Sequence, residues 1–500
     1  MLKWLGPKAD HPMADLKEAR RLIAEVPQGD SLKAVEELAD WVESVAGTAG
    51  FTGADRLELY RQLEDAAQPP QRRLTRDFLT VSGLGPIQES RLASTVERLW
   101  TALGNAYVDV FADPAAVRGV PEAAVASALA RGMRALSQAL KWRLLRYQLI
   151  DAAIWRGLAA LYRAADSRSL LSKPAELFVG GGQSTPEREL LCGLMLWLSS
   201  PDGLTPEKID AAERIIQSMA PKFRTAKTEG GVVTYYLDLE NPGPPSRVSA
   251  NAREKPNRVF VSAGEAWQSL ACLADRMRKS GIPDELQGGS ADVETLHDVI
   301  RHLERHWSPT PPVRQSARHR ANAPIRVAAG FERAVQALQG MDEALADRIQ
   351  RWESENISAG GFSARPPRAA AERLRVGTVI AVQPEGAPTW GVGIVRRLVR
   401  SDPARVGVQT LGLEVQTAPV RVAGGQSTVM RAGWKADTAI LFPLGDDGIM
   451  RVILKAGLYA PSRSLEAELG DDALLLVPAG LDERGEEYDL CRFRALEKSG

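Results

Sequence analysis

Hydrophobic residues in the first 170 positions recur at spacings of three and four, which is the period of an amphipathic helix. The shorter predicted helices are Leu16–Val26, Ser31–Val45, Ala54–Asp65 and Leu92–Val110. A longer periodic run extends from Pro121 to Ala165 and forms either one helix or two that join near Gly132 or Trp142. We therefore expect residues 1–172 to form a helical domain.

The pattern is mixed over residues 173–307. Two β-rich runs, Gly231–Leu239 and Arg258–Ser262, are separated by a loop rich in Pro, Ser and Asn. Helical periodicity then returns at Ala263–Lys279 and Val293–Trp307. These residues are expected to form a second domain that is mostly helical.

A change of period follows the proline-rich segment 308–313, SPTPPV, which stops the preceding helix and is interpreted as a linker. Beyond it come short runs in which apolar residues alternate with polar ones, separated by Gly and Pro, and this pattern is typical of a small antiparallel barrel. The clearest runs are Val376–Val382, Gly391–Val399, Arg405–Leu413 and Ala418–Val422. We predict a multidomain chain in which a mostly α-helical N-terminal region precedes an antiparallel β-barrel at 314–430, with 431–500 as a further β-rich subdomain or a barrel extension.

Charge is balanced over the whole chain, with 63 basic and 63 acidic residues among 500, so a globally basic DNA-binding protein is not expected. The β-rich region nevertheless has a local excess of positive charge. Residues 308–422 contain sixteen arginines, no lysine and ten acidic residues. Arginine-only usage has two explanations of equal weight: anion recognition, because the planar guanidinium pairs with phosphate through two parallel bonds, and codon bias.

Catalytic and metal sites are not expected. The cysteines Cys192, Cys272 and Cys491 are far apart and form no CxxC pair, and His302 and His306 share a helix face without a third ligand. No nucleophile–histidine arrangement has supporting context, so we predict that the protein is not an enzyme. No leader-like segment or run long enough to span a bilayer is evident, and the cytoplasm is the expected location.

Two short motifs surround the start of the β region. Arg314 and Arg318 form an RxxxR directly after the linker, and Asn356, Ser358 and Gly361 form an NxSxxG. In this order, before a run of strands, they resemble the PilZ family over about residues 311–422. The resemblance implies an antiparallel β-barrel that binds cyclic di-GMP through Arg314, Arg318, Asn356, Ser358, Gly360 and Gly361.

Some features depart from the family pattern. The interval from Arg318 to Asn356 is long and includes a helix-like insert, and Arg320 and Arg326 are alternatives for the second arginine. Trp390, at the start of a strand, is either a core aromatic or a further stacking platform for the ligand.

The resulting hypothesis is a receptor or adaptor in which cyclic di-GMP binds the barrel and the helical half contacts an unidentified protein partner. The alternative is a PilZ-like scaffold without nucleotide that acts through protein contacts. A single-stranded nucleic-acid binder is disfavoured, because the candidate strands carry few aromatic side chains among their basic ones.

Overall fold

A computed structural model of the chain describes residues 9–27, 29–80, 84–178, 182–227, 235–248, 257–310, 319–341, 347–423, 437–470 and 472–497. The chain divides into two compact units. The first comprises Met1–Pro201 and Pro206–Val313, and the second comprises Asp202–Thr205 and Arg314–Gly500.

Helices dominate the first unit. They are α1 Leu16–Glu25, α2 Ser31–Gly47, α3 Gly53–Thr80, α4 Pro86–Ala112, α5 Glu122–Leu145, α6 Ala152–Asp166, α7 Pro186–Leu198, α8 Pro206–Met219, α9 Gly264–Ser280 and α10 Val293–Trp307. Several begin at a side chain that accepts a hydrogen bond from the free N–H groups of the first turn. These capping residues are Asp15, Asp30, Asp151, Thr185 and Asp292. None of the helices in the described ranges is long and apolar enough to cross a membrane.

The periodic run from Pro121 to Ala165 forms two helices, α5 and α6. The break is not at Gly132 or Trp142 but follows Leu145, where Tyr147 takes a positive φ of 56°. Gly132 serves close packing instead, because a Cβ there would lie 2.8 Å from the Cβ of Tyr107. Trp142 is fully buried.

Short strands complete the first unit. β1 Ala175–Glu176 pairs with β2 Gln183–Ser184, and a four-stranded antiparallel sheet follows in the order β3-β6-β4-β5. Its strands are β3 Arg224–Ala226, β4 Tyr235–Asp238, β5 Ser246–Arg247 and β6 Arg258–Ser262. The predicted β-rich runs thus contain β4 and β6.

The second unit begins with an antiparallel sheet that closes on itself. Its strands are β7 His319–Arg320, β8 Pro324–Ala329, β9 Gln350–Ser358, β10 Gly361–Arg365, β11 Val379–Pro384, β12 Gly391–Val399 and β13 Arg405–Gly412. The strands lie in the order β10-β13-β12-β11-β8-β9, and the pairing of β9 with β10 closes this order into a barrel. β8 pairs with the first part of β9, and the short strand β7 pairs with a later part of β9. Helix α11, Phe331–Leu338, lies in the insert between β8 and β9, and a short helix α12, Arg368–Ala371, follows β10.

A second closed barrel occupies the C-terminal end, in the order β14-β15-β16-β19-β18-β17. Its strands are β14 Gln416–Val422, β15 Asp437–Leu441, β16 Ile449–Lys455, β17 Leu465–Leu469, β18 Asp472–Arg484 and β19 Tyr488–Glu497. The predicted segment 314–430 therefore contains the first barrel and the opening strand of the second. An apolar cluster including Val335 of α11, Ile394 of β12 and Phe442 joins the two barrels. The predicted fold class, helices followed by antiparallel β-barrels, is confirmed.

Candidate functional site

A β-bulge in β9 organises the surface around the NxSxxG motif. Asn356 pairs with Ser363 of β10, whereas the next pair joins Ser354 to Ala364, so Glu355 is an extra residue in the ladder. A bulge of this kind turns two neighbouring side chains to the same face. Ser354 points inward and its Oγ donates to the Ala323 carbonyl at 2.8 Å, which leaves Glu355 and Asn356 on the outer face.

The outer face carries one continuous row of cross-strand partners. Arg320 of β7 pairs with Asn356, Asn356 with Ser363, Ser363 with Gly407 of β13, and Gly407 with Arg397 of β12. Direct partners in an antiparallel ladder project to the same side of the sheet. The row therefore has an arginine at each end, an amide and a hydroxyl between them, and a bare backbone position at Gly407. We call these five residues the outer row.

Hydrogen bonds hold the polar centre of the outer row. Asn356 Nδ2 donates to Ser363 Oγ at 2.9 Å, and Ser358 Oγ donates to the Gly361 carbonyl at 3.0 Å across the turn. Asn356 Oδ1 is buried and accepts no hydrogen bond from a described residue. A buried acceptor without a donor costs roughly 1–3 kcal/mol, so this oxygen has a strong preference for a donor.

The two glycines of the motif differ. Gly361 has a φ of 149°, and a Cβ there would lie 2.0 Å from the Val408 carbonyl oxygen, so the closeness of β13 requires glycine. Gly360 has nothing within 4 Å of its Cβ position and is exposed, and its carbonyl accepts from Thr410 N–H at 3.2 Å. Only Gly360 presents an open backbone surface.

Charge around the outer row is mixed. Glu355 accepts a hydrogen bond from Arg365 Nε at 2.7 Å, and Arg405 Nε lies 3.4 Å from the same carboxylate. The hydrogen bond from Arg365 keeps the pKa of Glu355 below its usual value, so this carboxylate is charged at neutral pH. Arg397 lies 3.7 Å from Asp202, which clusters with the barrels, and Arg320 is exposed. Arginines remain in excess at this surface, which favours an anionic ligand.

The predicted site residues have different placements. Arg314 and Arg318 lie outside the described residues. Arg320 is in the outer row with Asn356, and Ser358 and Gly360 lie at the adjoining turn. Arg326, the other alternative for the second arginine, bonds to Gln383 Oε1 at 2.6 Å and lies over the ring of Trp390.

Trp390 is only 8% exposed and belongs to the apolar cluster that joins the two barrels. Of the two alternatives, a core aromatic and a stacking platform, its placement favours the core. Trp352, just before the motif, is fully buried as well. A stacking partner for a planar ligand on this face is therefore expected among the arginines, whose guanidinium planes also stack on bases.

Sequence reasoning missed Ser363, Gly407, Arg397 and the paired Glu355. A signal for Ser363 exists in the sequence. A two-residue turn at Ala359–Gly360 makes Ser358 the partner of Gly361, and two steps outward from that pair Asn356 faces Ser363. The positions of Arg397 and Gly407 in the outer row depend on the pairing of β10 with β13 and of β13 with β12, which local sequence patterns do not predict.

A separate cleft of about 1010 Å³ lies elsewhere on the second unit. Its wall has basic side chains, Arg333, Arg348, Arg373, Arg375 and Lys455, together with Glu332, Glu486 and Glu487. Burial raises the pKa of Glu487, whose carboxylate accepts from the Phe331 N–H at the start of α11. The cleft shares no residue with the outer row, so a substitution in the cleft can serve as a control for substitutions in the outer row.

The described ranges contain no group of three His, Cys, Asp or Glu side chains that could hold a metal ion.

Comparison with known proteins gives one family for part of the chain. Residues 17–228, within the helical unit, match the family model described as "Cyclic-di-GMP receptor FimW, N-terminal domain". No curated protein matches the chain. The match covers less than half of the sequence and lies outside the barrels, so the N-terminal helical part of this chain is similar to the N-terminal domain of a cyclic di-GMP receptor.

Proposed function

We propose that the chain is a cyclic di-GMP receptor whose ligand binds the outer face of the first, PilZ-like barrel and whose helical region is the output. The family match over residues 17–228 supports the receptor role, because that family is described as the N-terminal domain of a cyclic di-GMP receptor. The role proposed is binding and signalling in the cytoplasm, without catalysis.

The observation that carries the binding site is the outer row. It brings Arg320, Asn356 and Ser363 together on one face, with Gly407 as a flat position beside them. A dianionic dinucleotide needs cations for its phosphates and hydrogen-bonding groups for its guanine edges. The outer row supplies both kinds of group within one line of paired residues.

Asn356 is the group best suited to a guanine edge. Guanine donates N–H bonds from that edge, and Asn356 Oδ1 lacks a described donor. The side chain reaches the ligand by rotating outward from Ser363 Oγ, its present partner at 2.9 Å. Arg314 and Arg318 complete the proposal as phosphate and base contacts from the segment before β7, with Ser358, Gly360 and Gly361 at the turn.

Coupling to an output requires that the ligand favour one arrangement of the chain over another. The segment from the linker at 308–313 to β7 contains the proposed Arg314 and Arg318 contacts, so ligand binding would draw it onto the barrel. An unidentified protein partner of the helical unit would respond to that change.

The alternative is a PilZ-like scaffold that acts through protein contacts alone. One observation favours it: the acidic Glu355 already pairs with Arg365 and lies near Arg405, so part of the positive charge on this face is satisfied within the protein. A scaffold would retain those pairs and have no need for the exposed Arg320.

Isothermal titration of the full chain with cyclic di-GMP, with GTP and cyclic GMP as competitors, tests the proposal. Arg314→Ala/Arg318→Ala and Asn356→Ala should each weaken binding by about tenfold or more, since each removes a charged or buried hydrogen bond. Arg373→Ala removes one arginine from the separate cleft on the same unit and serves as the control.

Saturable binding that the two site variants lose and Arg373→Ala retains would support the receptor. Binding that survives Arg314→Ala/Arg318→Ala but falls with Arg320→Ala would move the arginine contact to β7. A folded wild-type chain that does not bind cyclic di-GMP would overturn the receptor and leave the scaffold.

A further inference from the structure

The helical unit contains a polar pocket of about 630 Å³ that is separate from the barrel site. Helices α3, α4, α5 and α8 and the residues Gly288–Ser290 form its wall. A volume in this range is typical of small-molecule sites, and the pocket lies mostly within the residues that match the receptor family.

Carboxylates at one side of the pocket are fully engaged. Lys141 Nζ donates to Asp210 Oδ1 at 2.6 Å and to Glu213, and all three side chains are buried. Gln138 donates to the second oxygen of Glu213, and Arg214 Nε donates to the second oxygen of Asp210 at 2.9 Å. Every carboxylate oxygen of Asp210 and Glu213 therefore accepts a hydrogen bond. The other basic side chains of the pocket are left to bind an anionic ligand.

Two arginines at the mouth of the pocket have no counterion among the described residues. Arg72 and Arg76 lie four residues apart on α3, which places them on one face of the helix. Both are exposed, and neither forms an ion pair with a described residue. Two positive charges at this spacing repel each other and destabilise a helix by a few tenths of a kcal/mol. An anion bound between the two guanidinium groups would remove that repulsion.

Donors without acceptors line the interior. Trp100 is 1% exposed and lines the pocket, and its Nε1–H has no acceptor among the described residues. The buried Nε of Arg134 and Oγ of Ser290 also have no partner there, although Arg134 lies 3.7 Å from Glu189 through another nitrogen. An indole N–H and a guanidinium are donors only, so they require a ligand rich in acceptors.

We propose that this pocket binds a phosphate-bearing small molecule of nucleotide size, independently of the barrel. Arg72 and Arg76 contact the phosphate oxygens at the mouth, and Trp100 Nε1–H donates to an acceptor of the ligand inside. Beside it, Gln71 Nε2 donates to Thr75 Oγ1 at 2.8 Å and Gln138 Nε2 donates to Glu213, and each amide has a second N–H for a hydroxyl or base contact. The volume is larger than inorganic phosphate needs and is adequate for a nucleotide.

The test uses the full chain carrying Asn356→Ala/Ser363→Ala, so that the barrel site is disabled and the two proposals fail separately. Pyrophosphate, GMP, GTP and cyclic di-GMP are titrated by calorimetry up to millimolar concentrations. We expect at least one nucleotide to bind saturably, and the affinity should fall with added salt, as for contacts between exposed charges.

Three variants locate the ligand. Arg72→Ala/Arg76→Ala should weaken binding by about tenfold for each arginine lost, and Arg73→Ala, the neighbour that does not line the pocket, should leave affinity unchanged. Trp100→Phe keeps an aromatic side chain but removes the indole N–H donor, and it should weaken binding by about fivefold. Thermal unfolding without ligand checks that each variant is folded.

Failure of every probe to bind the folded chain would overturn the proposal, as would binding that is equal in Arg72→Ala/Arg76→Ala and Arg73→Ala. Pyrophosphate bound as tightly as the nucleotides would also count against it, because the pocket interior would then contribute nothing. A preference for a nucleotide that depends on Arg72, Arg76 and Trp100 would establish the site.

Discussion

Gly361 and Gly360 are neighbours in the same motif, yet their backbones face different surroundings. Gly361 combines a φ of 149° with a Cβ position 2.0 Å from the Val408 carbonyl oxygen. Gly360 needs no positive φ and faces open space. A motif that contains both glycines therefore serves two purposes, strand packing at Gly361 and an open surface at Gly360.

Alanine substitutions should separate these purposes. Gly361→Ala forces a side chain into the β10–β13 ladder and a disfavoured φ, and we expect a loss of about 3 kcal/mol or more in the free energy of unfolding of the barrel. Gly360→Ala should change it by about 0.5 kcal/mol or less. Urea denaturation followed by tryptophan fluorescence measures both, and equal effects would contradict this assignment.

Residue pairing in the outer row was only partly predictable from the sequence. The partnership of Asn356 and Ser363 follows from a two-residue turn, because antiparallel pairing propagates outward from the turn. The bulge that turns Glu355 and Asn356 to one face depends on how Ser354 bonds to the β7–β8 connection, at Ala321 and Ala323. The bonded residues are more than thirty positions apart in the sequence, so a local sequence pattern cannot predict this contact.

Helices α5 and α8 are joined by the most buried charges near the pocket. Lys141 is 4% exposed and Asp210 is 3% exposed. Burial alone would lower the pKa of Lys141, but the attraction of Asp210 and Glu213 outweighs it and the pKa is raised. The same pairing keeps the pKa of Asp210 below its usual value despite burial. Both groups are therefore charged throughout the neutral range.

Lys141→Met should destabilise the helical unit by about 3–5 kcal/mol at pH 7, because it leaves the buried Glu213 without a cation and the buried Asp210 with Arg214 alone. Lys33→Met, which removes an exposed lysine 3.9 Å from Asp30, should cost about 1 kcal/mol or less. Circular dichroism at 222 nm during urea denaturation follows the helical transition of each variant.

The difference in the free energy of unfolding between the wild type and Lys141→Met should depend on pH through the pKa of Asp210. In the wild type the lowered pKa contributes stability above the unfolded value of 3.8, and this contribution is lost as the pH falls through the folded value. In Lys141→Met the carboxylate gains stability on protonation, so the gap between the two proteins should narrow as the pH falls below about 5. A gap that is constant from pH 7 to pH 4 would contradict the charge assignment.

Helix boundaries show where local patterns are insufficient. The predicted helix Ala54–Asp65 continues in the structure to Thr80 through Pro69 and Pro70, two residues that normally end a helix. Buried positions on both sides, from Leu63 to Leu74, hold the continuation in place. The break after Leu145 likewise has no proline or glycine signal, so tertiary packing determined both boundaries.

At the scale of the whole molecule, each compact unit contains its own buried core. The second unit has the interior of the closed C-terminal barrel and the cluster that joins the two barrels. Closed barrels leave few strand edges without partners, which removes the usual reason for a β fragment to aggregate. The alternation of apolar residues predicted strands in this region, but the strand order β10-β13-β12-β11-β8-β9 depends on non-local pairing.

These features predict that a fragment of residues 314–500 folds by itself, with a β-type circular dichroism spectrum and a cooperative unfolding transition. Residues 202–205, which cluster with the barrels, are absent from it, but the 3.7 Å pair of Asp202 with Arg397 is partly exposed and contributes about 1 kcal/mol or less. If the outer row is the receptor site, the fragment should bind cyclic di-GMP within a few-fold of the full chain.

The complementary fragment, residues 1–313, should be helical and should retain the nucleotide bound at Arg72, Arg76 and Trp100. Calorimetry on both fragments assigns each ligand to a unit, with the full chain as control. A folded 314–500 fragment that fails to bind cyclic di-GMP, while the full chain binds it, would overturn the assignment of that ligand to the outer row.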